Sequence, residues 1–287
     1  MKKYLGIFLI ILTWLVILAT NFSSGLITGW YNLHPEFNLG LNISRSFWAV
    51  WQEYQGLGLL GGMGHAADLP RQLLMLFLTR QEFFFLMLLV GPIGVYFLTK
   101  KNTAAGLFYL LNLATVQTFY APFEPFIIQF GLLPWLIHFA LEKRWKLFIL
   151  ASIFAIPQGY VPTVFVVYFL TLFVIRNFKI IALTLIINAF WLLPFVYFTF
   201  NNVRVPVEAK INQMSTQNAF LQNKEFGGIK DVITLRGFWF ENKDSSGYLM
   251  EPWRVHFQNP LVWIAGFTLF GIILLGIYRS FKEKHPH

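Results

Sequence analysis

The sequence predicts an all-α polytopic membrane protein, with about eight transmembrane helices and two long extracytoplasmic loops. Three observations carry that expectation. Charged residues make up only 12% of the chain and apolar ones 56%, whereas soluble domains carry roughly 25% charged residues. The apolar residues gather in runs long enough to cross a bilayer, for which about 20 residues spanning roughly 30 Å are needed. The basic residues collect in the short connections on one side of those runs, as the positive-inside rule requires.

The first run follows Lys2 and Lys3 and extends from Tyr4 to Ala19. Thr20-Asn21-Phe22 offers no small-x-small cleavage site, so the segment reads as an uncleaved signal anchor over 4–22. Further spans are expected at 83–99, 104–121, 126–141, 180–200 and 260–278.

Between Leu147 and Ile175 the segment Pro157-Gln-Gly-Tyr-Val-Pro162 divides the apolar residues into two short pieces. Lys143, Arg144 and Lys146 precede this region, and Arg176 and Lys179 follow it. A hairpin of two short helices puts all five on one side, which favours it over a single kinked helix and brings the total to eight spans. Its turn then lies below the outer surface, where protein or a water-filled cavity must cover the free backbone groups.

In this topology both termini are cytoplasmic. The cytoplasmic side carries twelve basic residues against Glu142 and Glu283, while the outer side is nearly neutral. The formal net charge of +9 is therefore an orientation signal, and no nucleic-acid partner is expected. Cysteine is absent, which excludes thiolate chemistry and leaves only His, Asp and Glu as metal ligands.

Two outer loops are long, 23–82 and 201–259. Within the first, the apolar stretch near 69–79 opens with Pro70-Arg71 and ends at Arg80-Gln81-Glu82, which suits a helix lying at the membrane surface. Gly56, Gly58, Gly61, Gly62 and Gly64 interrupt regular structure ahead of it and permit close backbone approach to a ligand. The second loop is rich in amide and turn residues and reads as irregular.

The spans hold essentially no ionised side chain. His138, Gln117, Gln129, Asn112 and Asn188 are their polar members. Ion channels and proton-coupled transporters ordinarily place charges at depth, so chemistry is expected in the first outer loop. Its carboxylates are Glu36, Glu53 and Asp68, with Glu82 at its exit and Glu124 in the next outer turn. A carboxylate facing a sugar hydroxyl can serve as general base, although acids also belong in solvated loops. Arg45, Arg71 and Arg80, with His65, suit an anionic phosphate through forked guanidinium contacts; binding of anionic lipid headgroups explains the same residues equally well. His65 and Asp68 together supply only two candidate metal ligands, so a divalent metal stays an open question. Trp30, Trp48 and Trp51 can stack on sugar rings, as they can also form an interfacial aromatic belt.

The order of these features is similar to the membrane module of GT-C glycosyltransferases. The run NISRSFWAVWQEYQGLGLLGGMGHAADLP, together with NAFWLLPFVY in the seventh span, most resembles the N-terminal GT-C domain of α-(1→3)-arabinofuranosyltransferase-like bacterial membrane proteins. The resemblance implies a protein of the bacterial cytoplasmic membrane, acting in the cell envelope. It implies transfer of a sugar from a polyprenyl-phosphate donor to an extracytoplasmic glycan, lipid or protein acceptor, with no nucleotide or redox cofactor. Glu36 stands nearest the family's early catalytic acid. Glu53 and Asp68 would be acceptor-positioning or metal-contacting acids, while Arg45, Arg71, Arg80 and His65 would lie near the donor phosphate, with Trp48, Trp51 and Glu124 completing the substrate contacts. Where that family carries an aspartate just after the first span, this chain has Trp30-Tyr31-Asn32. Family members are generally longer, so a fragment, a minimal enzyme and one half of a two-chain system are all compatible with the sequence. A non-catalytic subunit that binds a lipid-linked glycan is the alternative function, and a transporter is a third.

Overall fold

The computed structural model describes residues 2–22, 38–48, 51–52, 59–60, 65–112, 115, 119, 124–175, 177–202, 204–208, 210, 228–233, 243–244, 247–248 and 258–282. The architecture is helical, and the chain divides into two units, Met1–Asn201 and Asn202–His287.

The first unit opens with α1 (Lys2–Asn21), an unbroken apolar helix over the expected signal anchor. It is fastened to α4 (Arg80–Leu98) by the Trp14 indole, whose Nε1 donates to the Phe85 carbonyl at 2.8 Å. Between them come α2 (Leu39–Phe47), a short antiparallel ladder of β1 (Trp51–Gln52) with β2 (Leu59–Leu60), and α3 (His65–Leu74). The ladder pairs Trp51 with Leu60 and Gln52 with Leu59.

After α4 the chain forms α5 (Thr103–Leu110), α6 (Glu124–Leu141), α7 (Trp145–Ala155), a 3-10 turn (Ile156–Tyr160), α8 (Pro162–Val174) and α9 (Phe178–Asn202). Of the expected span over 104–121, α5 ends at Leu110, the chain bends at Leu111 and Asn112, and Thr115 and Phe119 are again helical.

Among the described residues three helices are long and apolar enough to cross a membrane: Arg80–Leu98, Phe178–Asn201 and Pro260–Arg279. The helices over Leu5–Asn21, Phe126–Leu141, Trp145–Gly159 and Pro162–Phe173 are apolar but shorter. The proline-divided region is thus two helices of 11 and 13 residues joined by a tight turn, reaching about 16 and 20 Å at 1.5 Å per residue. Pro157 and Pro162 cause the division, because a proline lacks the amide that would continue the hydrogen-bond ladder.

Two apolar clusters hold the unit together. One joins Phe83, Phe84, Phe85, Met87 and Leu88 of α4 to Ile127 and Ile128 of α6. The other gathers Leu136 and Ala140 of α6, Phe148 of α7, Phe165, Tyr168 and Leu172 of α8, and Ile180 and Trp191 of α9, with Ala67 of α3 at its edge. Helix α6 belongs to both, so it is the spine of the unit.

The α4–α5 and α6–α7 connections are built alike. Lys101 N–H reaches back to the Tyr96 carbonyl at 2.7 Å and Lys100 N–H to that of Phe97 at 3.2 Å. Arg144 and Lys143 repeat the pattern on Phe139 and Ala140 at 2.9 and 3.3 Å. These are Schellman closures, which ordinarily place glycine in the left-handed position. Here Lys100 and Lys143 occupy it, each with φ 56°. A lysine there strains the backbone, while a cation near a helix C-terminus is favoured by the helix dipole. Replacing Lys143 with glycine is expected to raise stability by about 1 kcal/mol, read as a shift in the denaturation midpoint of detergent-solubilised protein; an unchanged or lower midpoint would mean that the charge contributes more than the strain costs.

In the second unit the described elements are α10 (Arg204–Glu208), α11 (Ile229–Ile233), the ladder of β3 (Lys243–Asp244) with β4 (Gly247–Tyr248), and α12 (Pro260–Lys282). The Asn259 side chain accepts from the Leu261 amide at 2.9 Å, covering an open donor at the start of α12.

Candidate functional site

The segment between α1 and α4 contributes two described helices that pack on each other, α2 and α3. Asn38 caps α2, its side chain accepting from the Leu41 amide at 3.1 Å. Helix α3 contains Pro70 in its interior rather than at its start, so it begins ahead of the expected surface helix near 69–79 and stops at Leu74. Side-chain bonds across the proline explain why it persists. The Arg71 guanidinium grips Asp68 with both arms, Nε to Oδ1 at 2.7 Å and Nη2 to Oδ2 at 2.6 Å. Gln72 Nε2 donates to the same Oδ2 at 3.0 Å, and Asp68 lies in the first turn, where a carboxylate favours the helix.

Gln72 continues the network by accepting from Ser46 Oγ of α2 at 3.1 Å. Arg71 also turns Nη1 toward Met75 Sδ at 3.4 Å. All four polar residues are buried: Ser46, Asp68, Arg71 and Gln72. On the opposite side of the same segment Leu73, Leu76 and Phe77 are exposed, Phe77 at 85%. This polarity is the reverse of a water-soluble helix, whose apolar stripe faces inward.

Against α3 pack the 3-10 turn (Ile156–Tyr160) and α7. Gln158 of that turn is buried, and its Oε1 has no hydrogen-bond partner among the described residues. At the loop's exit Thr79 and Glu82 form a reciprocal capping box, with Thr79 N–H to Glu82 Oε2 at 2.7 Å and Glu82 N–H to Thr79 Oγ1 at 3.2 Å. Arg80 and Gln81 are buried in the same first turn of α4.

Of the residues expected to carry chemistry, Asp68 and Arg71 are brought together, and their pairing occupies both carboxylate oxygens. Arg45 ends α2 half-buried, and Trp48 follows it, 72% exposed with its ring edge-on to Phe47. Trp51 lies on β1, His65 opens α3 and Glu124 opens α6. Glu36 and Glu53 lie outside the described residues, as do Trp30 and the five loop glycines. No group of three or more His, Asp or Glu side chains gathers among the described residues.

Ser46, Gln72, Gln81 and Gln158 were not expected in this layer. The signal for Gln72 was present in Asp68-Leu-Pro-Arg71-Gln72, where positions i, i+3 and i+4 share one helical face.

The described residues define a helical chain bearing three helices of membrane-spanning length, with a buried polar layer built from the segment ahead of α4. Comparison with known protein families, with curated proteins and with solved structures found no match to this chain.

Proposed function

We propose that this chain is an eight-span integral membrane protein that transfers a sugar from a polyprenyl-phosphate donor to an acceptor at its outer face. The observation supporting this reading is the buried layer of Ser46, Asp68, Arg71 and Gln72, set on the segment between two apolar helices. A polar layer under an outward-facing apolar helix suits a substrate with an apolar tail and a polar head.

In the proposed reaction Glu36 takes the proton of an acceptor hydroxyl, whose oxygen bonds to the anomeric carbon of the donor sugar. The bond from that carbon to the phosphate oxygen breaks, and the lipid phosphate leaves with the electron pair. Arg45, Arg80 and His65 are assigned to the phosphate, Glu53 to the acceptor, and Trp48, Trp51 and Glu124 to the sugar. The Asp68–Arg71 pair holds α3 in register.

Membranes containing the protein, given a radiolabelled polyprenyl-phosphate sugar, should form labelled product. The Glu36→Ala variant should do so about 100-fold more slowly or worse, the usual scale for loss of a general base. Full transfer by both Glu36→Ala and Glu53→Ala would remove the assignment.

A second reading, a non-catalytic protein that binds a lipid-linked glycan, is favoured by one specific observation. Both oxygens of Asp68, the one described carboxylate of the proposed catalytic set, are engaged by Arg71. It predicts saturable donor binding with no turnover in the unmodified protein.

A further inference from the structure

Helices α4 and α6 run parallel and in register. A Cβ on Gly131 would lie 2.7 Å from Met87 Sδ, and one on Gly94 would lie 2.8 Å from the Trp135 ring. One turn further on, the Phe97 ring stands 6.4 Å from that of His138. The contacts advance together along both helices, so the two C-terminal ends lie side by side.

Each end is followed by one of the twin Schellman corners, Lys100–Lys101 after α4 and Lys143–Arg144 after α6, both bonded back to the last turn of their helix. Helix α1 begins at the same end, where Gly6 packs against Thr103 and Tyr96. Five cations occupy the two corners: Lys100, Lys101, Lys143, Arg144 and, in the first turn of α7, Lys146. All are exposed. Glu142, 3.8 Å from Arg144, is the acid among them.

The backbone conformation sets these lysines apart. Among the described residues, the positive-φ positions not held by glycine are Lys100 at 56°, Lys101 at 69° and Lys143 at 56°. Glycine adopts that conformation freely and is the ordinary residue of such a corner. Strain of this kind persists where the side chain is needed.

The helix dipole explains only part of the need. It favours a cation in the last turn of a helix, yet Arg144 caps the start of α7 and Lys146 lies in its first turn, where the dipole opposes both. An external anion satisfies all five.

Depth indicates which anion. Helix α4 is long and apolar enough to cross a membrane, and Lys100 follows its last residue, Leu98, by two positions. Lys143 follows Leu141, the last residue of the parallel α6, by the same interval. Cations just past the end of a span meet the headgroup level, where anionic lipids attract them.

We propose that the paired corners of α4 and α6 bind anionic phospholipid headgroups through Lys100, Lys101, Lys143, Arg144 and Lys146. The site rests on the membrane-spanning part of the proposed function and is independent of sugar transfer. Headgroup phosphates bridge the two corners and so stabilise the α4–α6 pair.

The test places the full chain in nanodiscs of phosphatidylcholine, alone or mixed equally with phosphatidylglycerol. Phosphatidylglycerol should raise the unfolding temperature by about 3–8 °C, and about 1 M salt should remove most of that gain. In Lys100→Gly/Lys143→Gly the gain should fall to half or less, although in phosphatidylcholine alone this variant should be as stable as the native chain or more so. Lys101→Gln/Lys146→Gln, which keeps both Schellman lysines, should also lose part of the gain. Equal unfolding temperatures of the native chain in the two bilayers, or a gain undiminished in both variants, would overturn the site. Soluble glycerol phosphate should give no gain in phosphatidylcholine; a gain matching that of phosphatidylglycerol would mean a free-phosphate site and overturn the lipid assignment. Failure to insert into either bilayer would instead remove the membrane-spanning reading, and this site with it.

Discussion

Replacing Asp68 with alanine should destabilise the first unit by about 3–5 kcal/mol, the usual result of removing one partner from a buried ion pair. Both side chains are nearly inaccessible, at 5% for Arg71 and 8% for Asp68. The variant takes both carboxylate contacts from a buried guanidinium that cannot lose its charge. It also takes the acceptor from Gln72 and loosens the link through Ser46 to α2.

Three variants separate these contributions. Asp68→Asn keeps an acceptor for one arm of Arg71 and should fall between alanine and the native residue. Asp68→Leu combined with Arg71→Met should recover much of the loss, since a well-packed apolar pair often matches or exceeds a buried ionic one. Arg144 and Glu142 provide the contrast: 3.8 Å apart and more than half exposed, they should contribute about 0–1 kcal/mol. Denaturant titration in micelles measures all of these. An Asp68→Ala midpoint equal to the native one would mean that Arg71 is reached by headgroups or water, and the buried layer would no longer be an argument about the site.

Composition and apolar run length were enough to anticipate α1, α4, α6, α9 and α12 as apolar helices, and α4, α9 and α12 reach the length a bilayer demands. The proline-flanked turn was equally legible, since Pro157 and Pro162 act through the backbone and need no partner. Helix α3 runs over His65–Leu74 rather than 69–79, because Pro70 lies in its interior and not at its start. Its persistence depends on Arg71 and Gln72 both bonding Asp68, which a scan for helix starts does not weigh. Which side of α3 turns inward was not readable either: that depends on whether water or lipid lies outside, which spacing alone does not state. At the candidate site, Asp68 and Arg71 were recognised by residue type, but their mutual engagement was not. The glycines of α4 and α6 were silent in the sequence for a similar reason. A glycine in an apolar helix matters through what approaches it, and that residue is tens of positions away.

Gly91 shows the size of that effect, and Gly91→Ala should cost about 1–3 kcal/mol through overpacking. A Cβ there would lie 2.6 Å from the Phe130 carbonyl oxygen and 3.0 Å from the rings of Phe130 and Tyr109. The carbonyl is the harder obstacle, because it belongs to the backbone of α6 and already accepts the Tyr109 hydroxyl at 2.9 Å. Nor can the helices slide apart cheaply: Trp135 Nε1 holds the Val90 carbonyl at 2.8 Å, next to the substituted position, and Gly94 one turn on is closed over by the Trp135 ring at 2.8 Å. Small residues at such contacts let helix backbones approach where no hydrophobic effect drives them together. Gly271 of α12 is the control, since a Cβ there meets nothing within 4 Å. Gly271→Ala should be neutral or stabilising by up to about 1 kcal/mol on helix propensity alone. If Gly91→Ala were instead as well tolerated as Gly271→Ala in thermal unfolding, α4 and α6 could not be packed as closely as these contacts require. The 3-10 turn that packs on α6 and carries α3 would then lack its support.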